Sequence, residues 1–109
     1  MDLAKKTKEY FSFFSNKEIK KLELIYSDNV NLKDWDIDVR GKKNVLKANE
    51  ETFKKVDSIY IKPIRIISEG NYTFNQIEIL IDGDILLDVI DVIRFTEQNQ
   101  IDLIRAYKG

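Results

Sequence analysis

The sequence predicts an α+β fold, with helices first and an antiparallel sheet after them. Three observations carry this. Apolar residues recur at helical spacing over about residues 2–26 and again over about 42–56. From about Ser58 onward the apolar pattern is that of strands. Two turn signals, Gly70-Asn71 and Asp82-Gly83, then divide the second half into lengths that suit hairpins.

A chain of 109 residues suits one domain, residues 1–109, with one core; a chain of this size buries roughly 60–70% of its unfolded surface. An apolar fraction of 43% beside a charged fraction of 34% is that of an ordinary globular domain. The net charge is −1 with both signs interspersed. No basic stripe stands out, which argues against nucleic acid or an anionic membrane as partner. There is no Cys and no His. Disulfides, thiolate nucleophiles and Cys-based zinc sites are excluded, and so is the usual neutral-pH acid–base group. No cofactor is expected. Any proton transfer falls to Asp, Glu, Tyr or Lys with a displaced pKa. Met1 runs directly into a helical pattern, with neither a signal core nor a run of about 18 apolar residues. The expectation is a cytoplasmic protein without a membrane span.

The first helix is expected from Asp2 to Ser15, with Leu3, Thr7, Tyr10 and Phe14 on one stripe and Phe11 beside it. Ser15-Asn16-Lys17-Glu18 reads as a capping box opening a second helix. That helix would point Ile19, Leu22, Ile25 and Tyr26 inward and end at Ser27-Asp28-Asn29. One early strand should run from Val30 to about Asp34, with Val30, Leu32 and Asp34 on one face and Asp36 and Asp38 in a polar bend beyond. These alternating acids lack the glycine-containing loop of a calcium site, so no metal is expected. Gly41 opens a third helix, Lys42 to Lys55, whose inner stripe is Val45, Leu46, Asn49, Phe53 and Val56.

Four strands follow as a meander. The first spans about Ser58 to Ile67, where Pro63 marks an edge or a bulge. The second is Tyr72 to Ile81. Read as a two-residue turn, Asp82-Gly83 pairs Ile81 with Asp84 and sets Phe74 opposite Asp91, with Gln76 and Glu78 on the same face. The third strand carries Ile85, Leu87, Val89, Asp91, Ile93 and Phe95 on one face. Asp91 is the only charge there. A carboxyl so placed finds a partner or keeps its proton, whether it acts on a ligand or merely bonds to Tyr10 or to backbone. The opposite face, with Ile77, Ile79, Leu86, Ile90 and Val92, is apolar too. A second copy of the chain is the simple cover for it.

The order and spacing of Tyr10-Phe11, Ser15-Asn16-Lys17-Glu18, Leu24 to Val30, Asp34, Arg40-Gly41, Asp91 to Phe95 and Arg105-Ala106-Tyr107 resemble the nuclear-transport-factor-2-like superfamily, in its SnoaL-like and ketosteroid-isomerase-like branch. The resemblance covers essentially the whole chain. It implies a cone: a curved, mostly antiparallel sheet wrapped around N-terminal helices, with an apolar pocket at the open end and, in many members, a homodimer through the outer sheet face. Ketosteroid isomerases pair a Tyr and a protonated Asp as an oxyanion hole with a second Asp as base. By position these fall on Tyr10, Asp91 and Asp34. The implied pocket lining is Phe14, Trp35, Phe74, Gln76, Val89 and Ile104, and the implied ligand a small apolar molecule. Isomerase or cyclase chemistry and non-catalytic ligand binding both fit the fold. Epoxide hydrolysis wants an Asp-Arg-Asp set, which the outward parity of Arg94 disfavours. Asp34 also reads as a strand-end cap for the following bend.

Overall fold

The structure, a computed structural model, describes residues 2–109; Met1 lies outside the described residues. Helix α1 spans Leu3–Ser15, α2 Ile19–Ile25 and α3 Lys42–Lys55. The strands are β1 Tyr26–Lys33, β2 Asp38–Arg40, β3 Ile59–Glu69, β4 Tyr72–Ile81, β5 Ile85–Phe95 and β6 Ile101–Lys108. They form one curved six-stranded sheet in the order β2-β1-β6-β5-β4-β3. All neighbours are antiparallel except β1 and β6, which run parallel. The helices cover the concave face and give the expected α+β cone. Among the described residues, no helix is long and apolar enough to cross a membrane.

Local chemistry explains the helix ends. Asp2 caps α1, its Oδ1 accepting from the Lys5 N–H at 3.1 Å. The inner stripe of α1 buries Thr7, Tyr10 and Phe11. The capping box at Ser15 does not form. Ser15 is the last residue of α1, and its Oγ accepts from the Ile61 N–H at 2.9 Å, which ties the helix to β3. Glu18 stands at the N-cap of α2 without a side-chain capping bond, its carboxylate lying 3.3 Å from the Lys21 ammonium instead. Lys17 turns left-handed at φ 56. Its Nζ donates to the carbonyls of Phe53, Val56 and Asp57 at 3.0, 2.7 and 3.2 Å, so one cation closes the C-terminal end of α3.

Two expectations about the early strands need correction. Helix α2 stops at Ile25, and Tyr26 already belongs to β1, with Ser27, Asp28 and Asn29 inside the strand. Pairing with β6, not local propensity, extends it: Tyr26 lies beside Ile101, and an irregularity separates that pair from Asn31 beside Leu103. The polar bend also contains a second strand. Asp38–Arg40 pairs with Asn31–Lys33, and the Asn31 amide donates to Asp38 Oδ1 at 2.9 Å and to the Val39 carbonyl at 2.8 Å.

In the meander β3 is the edge strand, and its pairing slips between Pro63 and Arg65, so Pro63 marks both an edge and a bulge. The β4–β5 turn differs from expectation by one residue. Ile81 pairs with Ile85, leaving a three-residue turn in which Asp82 and Gly83 both have positive φ. Asp82 is held there because its Oδ1 accepts from the N–H groups of Asp57 and Ser58 at 2.7 and 3.0 Å. As a result Asn75, not Phe74, lies opposite Asp91. The core joins Tyr10 and Phe11 of α1, Leu22 of α2, Val45 and Phe53 of α3 and the concave sheet residues Val30, Ile77, Val89, Ile93, Phe95, Ile101 and Ile104.

Candidate active site

Between the helices and the concave sheet lies a cavity of about 300 Å³. Its walls are mostly apolar. Phe14 comes from α1, Leu32 from β1, Ile61 from β3, Ile77 from β4, Val89 from β5, and Ile104 and Ala106 from β6. The polar atoms come from Tyr10, Asp34, Asp36, Asn49, Thr52 and Asp91. This is at the small end of ligand sites, with few polar groups on an apolar wall.

Asp91 is placed by strand parity. It shares the concave face with Val89 and Ile93, and 5% of it is exposed. Burial is the main cause that raises its carboxyl pKa to about 8, and the charge of Asp34 adds to it. The carboxyl is therefore neutral at neutral pH. Among the described residues nothing pairs with its Oδ1. Its backbone is fixed by Asn75, whose Nδ2 donates to the Asp91 carbonyl at 3.0 Å and to Thr73 Oγ1 at 3.1 Å. Thr73 Oγ1 in turn bonds Thr7 Oγ1 on α1 at 2.9 Å.

Asp34 is half-buried on the same cavity, just past the end of β1. Its Oδ1 accepts from the N–H groups of Asp36 and Ile37 at 2.7 and 2.9 Å, so the side chain does cap the bend. Those two bonds use one carboxylate oxygen and hold the group in a single orientation. Trp35 lines the cavity with 40% exposure, and the Lys108 ammonium lies 5.4 Å from its ring centroid.

Tyr10 is buried, and its pKa is raised, first by burial and then by the neighbouring Tyr26 and Asp91. Its ring centroid lies 6.3 Å from that of Tyr26, whose hydroxyl donates to Asn49 Oδ1 at 2.7 Å. Tyr26 and Asn49 are the site residues that sequence reasoning missed. The signal for Asn49 was an amide in the apolar stripe of α3, where a buried polar group must find partners.

Seven of the residues expected at the site thus meet around one cavity: Tyr10, Phe14, Asp34, Trp35, Val89, Asp91 and Ile104. Phe74 and Gln76 do not. The one-residue shift in the β4–β5 pairing turns them to the convex face, where Phe74 is 41% exposed and Gln76 lines a separate groove with Ile90 and Tyr107. Glu78 follows them. Among the described residues no arginine lines the cavity. Arg94 instead donates to Asp102 at 2.9 Å.

No protein-family model and no curated protein matches the sequence. Solved structures do match the fold. An LEH-like epoxide hydrolase of M. tuberculosis has a TM-score of 0.86 at 14% identity, over 98% of this chain and 82% of that one. An NTF2-like protein of unknown function from Cytophaga hutchinsonii has 0.84 at 11% identity, over 100% and 91%. A candidate isomerase of the SnoaL-like family from Agrobacterium tumefaciens has 0.82 at 14% identity, over 94% and 93%. The chain has the fold of SnoaL-like and nuclear-transport-factor-2-like proteins.

Proposed function

We propose that this cavity binds a small, mostly apolar carbonyl compound and removes a proton from the carbon beside the carbonyl, as an isomerase or cyclase does. The observation that carries this reading is the pair of carboxyls on one cavity. Asp91 is buried, holds its proton to about pH 8 and has an unpartnered oxygen. Asp34 is more exposed and oriented by two backbone N–H groups. Two carboxyls in such unequal surroundings divide into an acid and a base. Asp34 takes the proton and returns it to a second carbon of the same molecule. Asp91 donates a hydrogen bond to the enolate oxygen while charge develops there. Tyr10 belongs to the same donor cluster through Tyr26 and Asn49. Phe14, Trp35, Val89 and Ile104 hold the apolar part of the ligand and keep water away from the enolate.

The first test is the binding of substituted naphthols, whose ionised oxygen mimics an enolate, followed by Trp35 fluorescence. We expect affinity to vary across the series in the wild-type protein and to collapse in Asp91→Leu, which removes the donor. Absence of binding in wild type would count against proton abstraction. Water addition to an epoxide, the activity named for one structural neighbour, is less well supported, because no arginine joins the two acids at the cavity among the described residues.

The Asx-type bonds of Asp34 favour a second reading, in which the carboxyl only shapes the bend and the cavity retains a ligand without changing it. A product appearing on long incubation with a bound ketone would exclude it. Under either reading we propose that the convex face is covered by a second copy of the chain. Ile67, Phe74, Leu86, Ile90 and Tyr107 are all exposed there.

A further inference from the structure

Building on the reading of Asp91 as a hydrogen-bond donor, we propose that the ligand oxygen is held from opposite walls by the Asp91 carboxyl of β5 and the Asn49 side-chain amide of α3, and that the ligand is a single-ring or short-chain carbonyl compound.

The direction of the Tyr26 hydroxyl bond supports this. Tyr26 gives its hydroxyl proton to Asn49 Oδ1 at 2.7 Å. That proton is thereby used inside the protein, and the amide oxygen is occupied. An amide whose oxygen is occupied must present its Nδ2 elsewhere. Asn49 is 2% exposed and lines the cavity, where its Nδ2 keeps access to the cavity space while its Oδ1 is occupied. A ligand oxygen entering the cavity meets this donor directly. Tyr10, expected to touch the oxyanion itself, becomes a positioning residue that acts through Tyr26 and Asn49.

The size of the cavity limits the ligand. A cavity of about 300 Å³ lies at the small end of ligand sites. A single-ring or short-chain compound suits a site of this size.

The test uses the intact chain and three probes, phenol, cresol and nitrophenol, with estradiol as a four-ring phenol. Affinities are measured for wild type, Asp91→Leu, Asn49→Leu, Asn49→Asp and Tyr10→Phe. Asn49→Asp keeps an acceptor for Tyr26 and removes both amide N–H groups, and once its carboxyl is ionised it offers no donor, so affinity measured across pH separates loss of the donor from loss of the fold. We expect each Asn49 variant to weaken phenol binding about tenfold or more, as for a lost hydrogen bond to a charged oxygen. The dependence of affinity on phenol acidity should flatten in both variants, which a purely structural role would not cause. Tyr10→Phe should lose less than either. Wild-type affinity in the folded Asn49 variants, with a large loss in Asp91→Leu and Tyr10→Phe, would overturn the role of Asn49 and leave Asp91 as donor. Wild-type affinity in a folded Asp91→Leu as well would overturn both readings. Estradiol binding more tightly than the single-ring phenols would overturn the assigned ligand size.

Discussion

Asn75 of β4 stands directly opposite Asp91 of β5, and its amide donates to the Asp91 backbone carbonyl at 3.0 Å. The bond engages the backbone of Asp91 and leaves the carboxyl free. Through Thr73 and Thr7 the same network reaches α1, three residues before Tyr10 in the chain. The buried acid is thus positioned by neutral amide and hydroxyl groups that add no charge beside it. That is consistent with a carboxyl kept neutral by its surroundings.

Asp91 makes stability depend on pH. Below about pH 4 both folded and unfolded chains hold its proton. Between about pH 4 and the folded value of about 8, only the folded chain does. Stability should therefore fall as pH rises through this window, by about 1.4 kcal/mol per unit at most, and level off above it. Denaturant titrations of wild type and Asp91→Asn over this range measure the effect. The expected result is that the substitution removes this component of the slope.

Asp34→Asn keeps an oxygen for the Asp36 and Ile37 N–H groups, so the bend survives. Turnover of an enolisable ketone should drop by roughly 10²–10⁴-fold, the usual worth of a positioned acid–base group. Phenol or naphthol binding should persist. Steady-state rates beside equilibrium binding separate the two effects, and unchanged turnover would remove Asp34 as base.

Lys17→Met takes a cation from three carbonyls at the end of α3. A loss of about 1.5–3 kcal/mol is expected, the range for hydrogen bonds to a charged group. Thermal unfolding measures it. Because α3 also carries Asn49, ligand affinity should weaken in the same variant.

Ile90→Lys puts a charge in the middle of the exposed convex face. If a second copy covers this face, sedimentation should show a shift from dimer to monomer while the fold, read by circular dichroism, is retained. A wild-type protein that sediments as a monomer at high concentration would refute the dimer.

Much of the fold was legible in the sequence. The stripe of Leu3, Thr7, Tyr10 and Phe14, the third helix from Lys42 to Lys55 and the alternation that turns Asp91 inward are periodic patterns of neighbouring residues. Such patterns specify which face of an element is apolar whatever the element later meets. The chemistry of Asp91 followed from the same source, since a single acid on an apolar face is anomalous wherever that face is buried.

Register and long-range contacts were not legible. Asp82 bonds Asp57 and Ser58, which lie far earlier in the chain, and that contact moves the β4–β5 pairing by one residue. A one-residue shift sends a side chain to the other face, so Phe74 and Gln76 left the expected pocket while Val89 and Asp91 stayed. The start of β1 at Tyr26 depends on a parallel partner in β6, and Lys17 found its carbonyls in α3. Local pattern therefore accounts for the elements and their inward faces. Which inward groups meet, Asp34 with Asp91 and Tyr26 with Asn49, depends on pairings between distant segments that no local pattern encodes.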